Sequence, residues 1–68
     1  MKTTNYLYRG RTLFVDEVGK FGFRTFFVGL CGDRHTINVG ELPLRPTRLE
    51  AQIDLNRFAY IRKLKEAA

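Results

Sequence analysis

The chain has 68 residues, a net charge of +5, and 44% hydrophobic and 13% aromatic side chains. This length predicts one small domain, residues 1–68, and the composition excludes a disordered chain. The single cysteine, Cys31, excludes an intrachain disulfide, and the longest apolar run is too short to span a bilayer. Because we also find no apolar leader after Met1, we expect a cytoplasmic protein without membrane attachment.

Three segments rich in aromatic, β-branched and threonine residues predict the strands of an antiparallel sheet. They are 6–18, 21–30 and 35–42, and glycine-containing turns at 19–20 and 31–34 separate them. Because both connections are short, the sequence predicts a three-stranded β-meander. Gly10 lies inside the first segment, where a bulge would exchange the two faces of that strand.

The last third of the chain predicts one α-helix over residues 48–66. Pro43 and Pro46 favour an extended connector before it, and Thr47 and Glu50 have the spacing of a capping box. No glycine or proline follows Pro46. The predicted fold class is therefore α+β, a β-β-β-α domain whose C-terminal helix packs on one face of the sheet.

The predicted helix carries two separate apolar stripes. One stripe is enough to close a small core, and we assign it to Ala51, Leu55, Phe58 and Ala59. The other stripe predicts a partner interface, most simply with a second copy in a homodimer, and consists of Leu49, Ile53, Tyr60 and Leu64. In the alternative interpretation, Pro43, Leu44 or N-terminal residues fold over this second stripe.

Alternation along the predicted strands separates an apolar face from a face that mixes arginines with apolar side chains. The apolar face, which we expect to form the core, carries Tyr8, Thr12, Phe14, Phe23, Thr25, Phe27, Ile37 and Val39. The opposite face offers candidate nucleic-acid contacts: Arg9, Arg11, Arg24 and Asn38. Arginine binds phosphate and base edges, and asparagine pairs with adenine. The equally weighted alternative is that these are ordinary solubilising residues.

Catalytic chemistry finds little support in the sequence. His35 is the only histidine and Cys31 the only cysteine, and both lie near a predicted turn in a chain too short for a large pocket. A metal site needs three or four ligands. We therefore expect neither an enzyme, nor a cofactor, nor a metal.

Several short motifs resemble those of AP2-type DNA-binding domains. They are Tyr8-Arg9-Gly10, Gly19-Lys20-Phe21, a strand ending near Arg24, and Thr47-x-x-Glu50-Ala51. The arm-binding domains of tyrosine recombinases from phages and mobile elements are similar in outline. The resemblance implies a three-stranded sheet that is backed by one helix and docks in the DNA major groove, with Arg9, Arg11 and Arg24 as DNA contacts.

The net charge and the resemblance together predict a small DNA-binding or accessory protein of a phage or mobile element. The alternative is a protein–protein interaction module, such as a phage-borne inhibitor or adaptor. Such a module would use the aromatic sheet or the second helix stripe to capture its partner.

Overall fold

The computed structural model describes residues 4–29, 31–37 and 39–67. The elements are β1 (Tyr6–Tyr8), β2 (Arg11–Val18), β3 (Gly22–Val28), β4 (Arg34–Thr36), α1 (Arg48–Arg62) and β5 (Lys65–Glu66). The strands form one antiparallel sheet in the order β4-β3-β2-β1-β5. The α+β class with an antiparallel sheet and one C-terminal helix is confirmed. The prediction of three strands is wrong, because the described residues form five.

The predicted first strand is a hairpin of two strands. Arg9 and Gly10 form the turn, with φ angles of 52° and 78°. Tyr8 pairs with Arg11 across this turn. Two consecutive positive φ angles are typical of the two-residue turns whose twist matches that of the flanking strands. The turn, and not a bulge at Gly10, therefore decides which side chains of β2 face the helix.

This turn exchanges the two faces predicted for the second half of the hairpin. Leu13 and Val15 of β2 enter the core, where Leu13 is fully buried. The predicted core residues Thr12 and Phe14 alternate with them and lie on the face away from α1. The expected assignment of faces is therefore wrong for β2 and right for β3, whose Phe23 and Phe27 pack against the core.

The core lies between the sheet and α1. Leu55 is fully buried at the centre of the helix, and Leu42 reaches the same cluster from the segment before the helix. The buried apolar cluster consists of Leu13, Val15, Leu42, Ala51, Leu55 and Phe58. Ala51, Leu55, Phe58 and Ala59 are all buried, as expected for the inner stripe of the helix.

The third predicted strand is shorter than expected, because β4 ends at Thr36. The following segment departs from the edge of β3 and buries Leu42 against α1. The chain returns to β3 at Arg45, whose N–H donates to the Phe23 carbonyl at 2.8 Å and whose carbonyl accepts from the Phe23 N–H at 2.7 Å. The Arg45 guanidinium also pairs with the buried Asp54 carboxylate of α1, with Nε 2.6 Å from Oδ2.

The predicted start of α1 is confirmed and its predicted end is wrong. The Glu50 N–H donates to Thr47 Oγ1 at 3.2 Å, which caps the first turn. The helix ends at Arg62 because Lys63 adopts a left-handed conformation with φ 56°. The chain then turns back, and Lys65–Glu66 pair with β1 instead of continuing the helix. Within the described ranges, no helix is both long enough and apolar enough to cross a membrane.

Candidate nucleic-acid interface

The structure does not bring the predicted arginines onto one face of the sheet. Arg24 lies on the face away from α1, where it is half-buried and its Nη2 donates to the Ile37 carbonyl at 3.3 Å. Arg9 lies in the β1–β2 turn, and Arg11 lies on the helix side of the sheet because it pairs with Tyr8. The prediction that these three form one surface is wrong, since the two-residue turn reverses the faces of β2. The predicted contact Asn38 lies outside the described residues.

The face away from α1 uses its charged groups for internal contacts. The Arg34 guanidinium lies 4.5 Å from the Phe26 ring centroid and donates to Asp16 Oδ2 at 2.8 Å. The Glu17 N–H donates to Asp16 Oδ1 at 2.8 Å. This hydrogen bond is the main reason why the pKa of Asp16 lies below its usual value, and Arg34 lowers the pKa further. Arg34 is therefore already paired with a carboxylate, which lowers the positive charge that it can offer to a phosphate.

A different arrangement of arginines and rings lies at the end of the sheet that carries the β1–β2 turn. The Arg9 guanidinium carbon lies 5.3 Å from the Tyr8 ring centroid, and that of Arg11 lies 5.3 Å from the Phe27 ring centroid. The rings of Phe27 and His35 lie 5.5 Å apart at an interplanar angle of 30°. We call these five residues the arginine–aromatic row. It crosses β1, β2, β3 and β4 on the helix side of the sheet.

The row lines a concave surface next to the C-terminal half of α1. The buried Phe58 of α1 meets Tyr8 edge-on at a centroid distance of 5.5 Å and holds the Tyr8 ring from the core side. Three adjoining hollows of about 220, 350 and 440 Å³ are each lined by Arg11. Arg9 and His35 are exposed, and the rings of Tyr8 and Phe27 are half-buried. Ligand atoms therefore have access to the guanidinium groups, to the exposed His35 ring, and to the parts of the Tyr8 and Phe27 rings that their neighbours leave free.

The positive charges of Arg9 and Arg11 are not neutralised by a carboxylate, because neither arginine takes part in an ion pair among the described residues. In the described part of the chain, the three ion pairs use Arg34, Arg45 and Arg62. Arg9 and Arg11 contact rings, which leave the positive charge unneutralised. Guanidinium groups held in this way bind phosphate through their remaining N–H donors.

The predicted partner interface on α1 is formed in part. Leu49, Ile53 and Tyr60 remain 51%, 46% and 85% exposed, so no described residue covers them. The fourth predicted member, Leu64, lies beyond the end of the helix and packs against the core. Its inclusion in the stripe is wrong, because the left-handed Lys63 turns Leu64 inward.

The two residues weighed for catalysis lie at the edge of the row. Cys31 is exposed, and it lines the same hollow as His35, whose ring is tilted against that of Phe27. Among residues 4–29, 31–37 and 39–67, no group of three or more histidine, cysteine, aspartate or glutamate side chains is placed to hold a metal ion.

Comparisons with known protein families, with curated proteins and with solved structures each find no match. The resemblance to AP2-type domains therefore stays a prediction, and the functional argument rests on the geometry of the chain itself. Sequence reasoning missed Tyr8, Phe27 and His35 as site residues. The Arg9-Gly10 dipeptide was the available signal, since a turn at these residues places Arg11 beside Tyr8.

Proposed function

We propose that this protein binds single-stranded nucleic acid through the arginine–aromatic row. The observation that carries the proposal is the alternation of unpaired guanidinium groups with accessible rings on one concave surface. Arginines bind the phosphates of a strand, and aromatic rings stack on its bases without regard to sequence. Four adjacent strands place the row over three strand spacings, about 14 Å, which accommodates a few successive nucleotides.

Single strands fit this surface better than a duplex does. Stacking on a side-chain ring requires a base whose face is free, and the bases of a duplex are stacked on each other. A sheet that reads the major groove must project its polar side chains from an open face. On the open face here, Arg34 is paired with Asp16, and Arg24 is half-buried with its Nη2 on the Ile37 carbonyl, so this face projects few free donors toward base edges.

Fluorescence anisotropy with a labelled 15-nucleotide oligothymidine tests the proposal. We expect micromolar binding that weakens as salt rises. If Arg9 and Arg11 each contact one phosphate, the slope of log K against log salt is about −1.4, because each contact contributes about −0.7 on single strands. Arg11→Gln then reduces the slope by about 0.7. Lys20→Gln serves as the control, since it removes the same charge from an exposed position in the β2–β3 turn, at the end of β2 away from the row.

The aromatic part of the row is tested with His35→Leu, which removes the exposed ring of the row and leaves the core-facing rings of Tyr8 and Phe27 in place. Loss of one stacked base costs about 1–3 kcal/mol, so the affinity should fall by about 5- to 150-fold. Thermal unfolding of this variant checks that the fold is retained. Equal affinity for duplex and single strand, or equal effects of Arg11→Gln and Lys20→Gln, would refute the proposal.

A further inference from the structure

The outer face of α1 carries an apolar stripe that the fold leaves unused. At 100° per residue, Leu49, Ile53 and Tyr60 lie within an arc of about 40°. All three are exposed, and Tyr60 is the most exposed of the large hydrophobic side chains that the structure describes, at 85%. Asn56 lies about 20° outside this arc, and its Oδ1 accepts from Tyr6 and Gln52, which anchors it to the protein. The stripe is therefore a surface on a rigid element.

Two opposite charges border the stripe along one side. Glu50 and Arg57 are both exposed and lie seven residues apart, so they are separated by about 10.5 Å along the helix axis. Arg57 takes part in none of the ion pairs among the described residues. In a parallel pair of helices, each of these charges would face its own copy and repel it. In an antiparallel pair, each would face the opposite charge.

We infer that this face binds a second copy of the chain as an antiparallel helix pair around a two-fold axis. Glu50 then meets the partner's Arg57, and the same contact repeats on the other side of the axis. Ile53 lies next to the axis and contacts its own copy. Leu49 lies about 3 Å along the axis from the partner's Tyr60, which places an aliphatic side chain against a ring.

The self-complementary charge pattern favours a second copy over an unrelated partner, because a two-fold axis satisfies both charges at once. The area is also adequate. The exposed parts of Leu49, Ile53, Tyr60 and the neighbouring Ile61 amount to about 500 Å² per copy, and thus about 1,000 Å² for the pair. That area is near the lower limit for a specific interface, so a micromolar dissociation constant is expected. None of the four residues belongs to the arginine–aromatic row.

Sedimentation equilibrium between about 5 and 500 μM protein tests the helix pair. Wild type should fit a monomer–dimer equilibrium. Glu50→Arg and Arg57→Glu should each weaken dimerisation at least tenfold, because each variant places like charges opposite each other at both contacts. An equimolar mixture of the two variants should associate again, since every contact between unlike copies then joins an arginine to a glutamate. This rescue also shows that both variants are folded.

Two further variants test whether dimerisation depends on the stripe itself or on exposed hydrophobic side chains in general. Ile53→Asp should abolish dimerisation, whereas Phe21→Asp, which changes an exposed ring in the β2–β3 turn, should leave it unchanged. A wild type that stays monomeric up to 500 μM would overturn the inference. It would also be overturned if the mixture of charge variants associated no better than either variant alone. Both outcomes are independent of whether the protein binds nucleic acid.

Discussion

The ion pair between Arg45 and Asp54 allows a direct test of how strongly the segment that precedes the helix is held to α1. Asp54 is nearly buried in α1, with 9% of its side chain exposed, and Arg45 reaches it with two hydrogen bonds. We predict that Arg45→Met destabilises the protein strongly. The substitution keeps an apolar stem of similar length and leaves the backbone pairing with Phe23 intact, so it removes the charge alone.

The expected magnitude follows from the burial of the two partners. Removing one member of a buried pair costs about 3–5 kcal/mol, because the other charge is left in a poorly solvated position. The Arg45 side chain is 42% exposed, so water reaches Asp54 from that side once the guanidinium is gone. We therefore expect a loss of about 2–3 kcal/mol, at or below the lower limit for buried pairs. For a domain of this size that corresponds to a decrease in Tm of about 10–20 °C.

Urea unfolding followed by circular dichroism measures this loss, provided that the m-value is unchanged. The double variant Arg45→Met/Asp54→Leu should recover most of the stability, because it leaves no unpaired charge. Glu41→Gln is the matched control, since it breaks the more exposed pair with Arg62 at 3.3 Å. It should cost less than about 0.5 kcal/mol. A loss below 0.5 kcal/mol in Arg45→Met, or no recovery in the double variant, would refute the reasoning.

Three further predictions concern the backbone, the core and the acid response. Gly22→Ala should cost about 2–3 kcal/mol, because φ is +133° and a Cβ there would overlap the Arg45 carbonyl oxygen; wild-type stability would contradict this. Leu55→Ala, at a fully buried site, should cost about 2–5 kcal/mol in urea unfolding, and a loss below 1 kcal/mol would show a looser core. The pKa of Asp16 is lowered, chiefly by the Glu17 N–H, so its contribution to stability is present at neutral pH and is lost as pH falls through the folded pKa. Asp16→Asn should therefore be less stable than wild type at pH 7 and equally stable in acid, and a difference independent of pH would contradict this.

Local signals at the start of α1 were sufficient to predict it, whereas its end depended on tertiary structure. Thr47 supplies a capping side chain and Pro46 stops the helix from extending backwards, so residue 48 follows from neighbouring residues. At the other end no glycine marks the stop. Lys63 takes a left-handed conformation because Leu64 packs into the core and Lys65 pairs with β1, and neither contact is visible in the helix periodicity.

The candidate site shows how one error in the predicted course of a strand changes the composition of a whole predicted surface. A continuous first strand placed Arg9, Arg11 and Arg24 on one face, and the alternation rule then gave each side chain a definite direction. A two-residue turn at Arg9 and Gly10 reverses that direction for every residue of β2. Arg9 and Arg11 still line one hollow together, but Phe27 lies beside Arg11 in place of Arg24.

The short strands at the two edges of the sheet limit how this protein can aggregate. The edge strand β4 has three residues and β5 has two, so neither offers a long row of unpaired backbone N–H and C=O groups. Both edge strands also carry a long charged side chain, Arg34 on β4 and Lys65 on β5, and such side chains disfavour pairing with a strand from another copy. Addition of a foreign strand to this sheet is therefore disfavoured at both edges. In the helix pair inferred above, copies would contact each other only through side chains on the outer face of α1, and such a two-fold pair is closed and does not extend into a fibre.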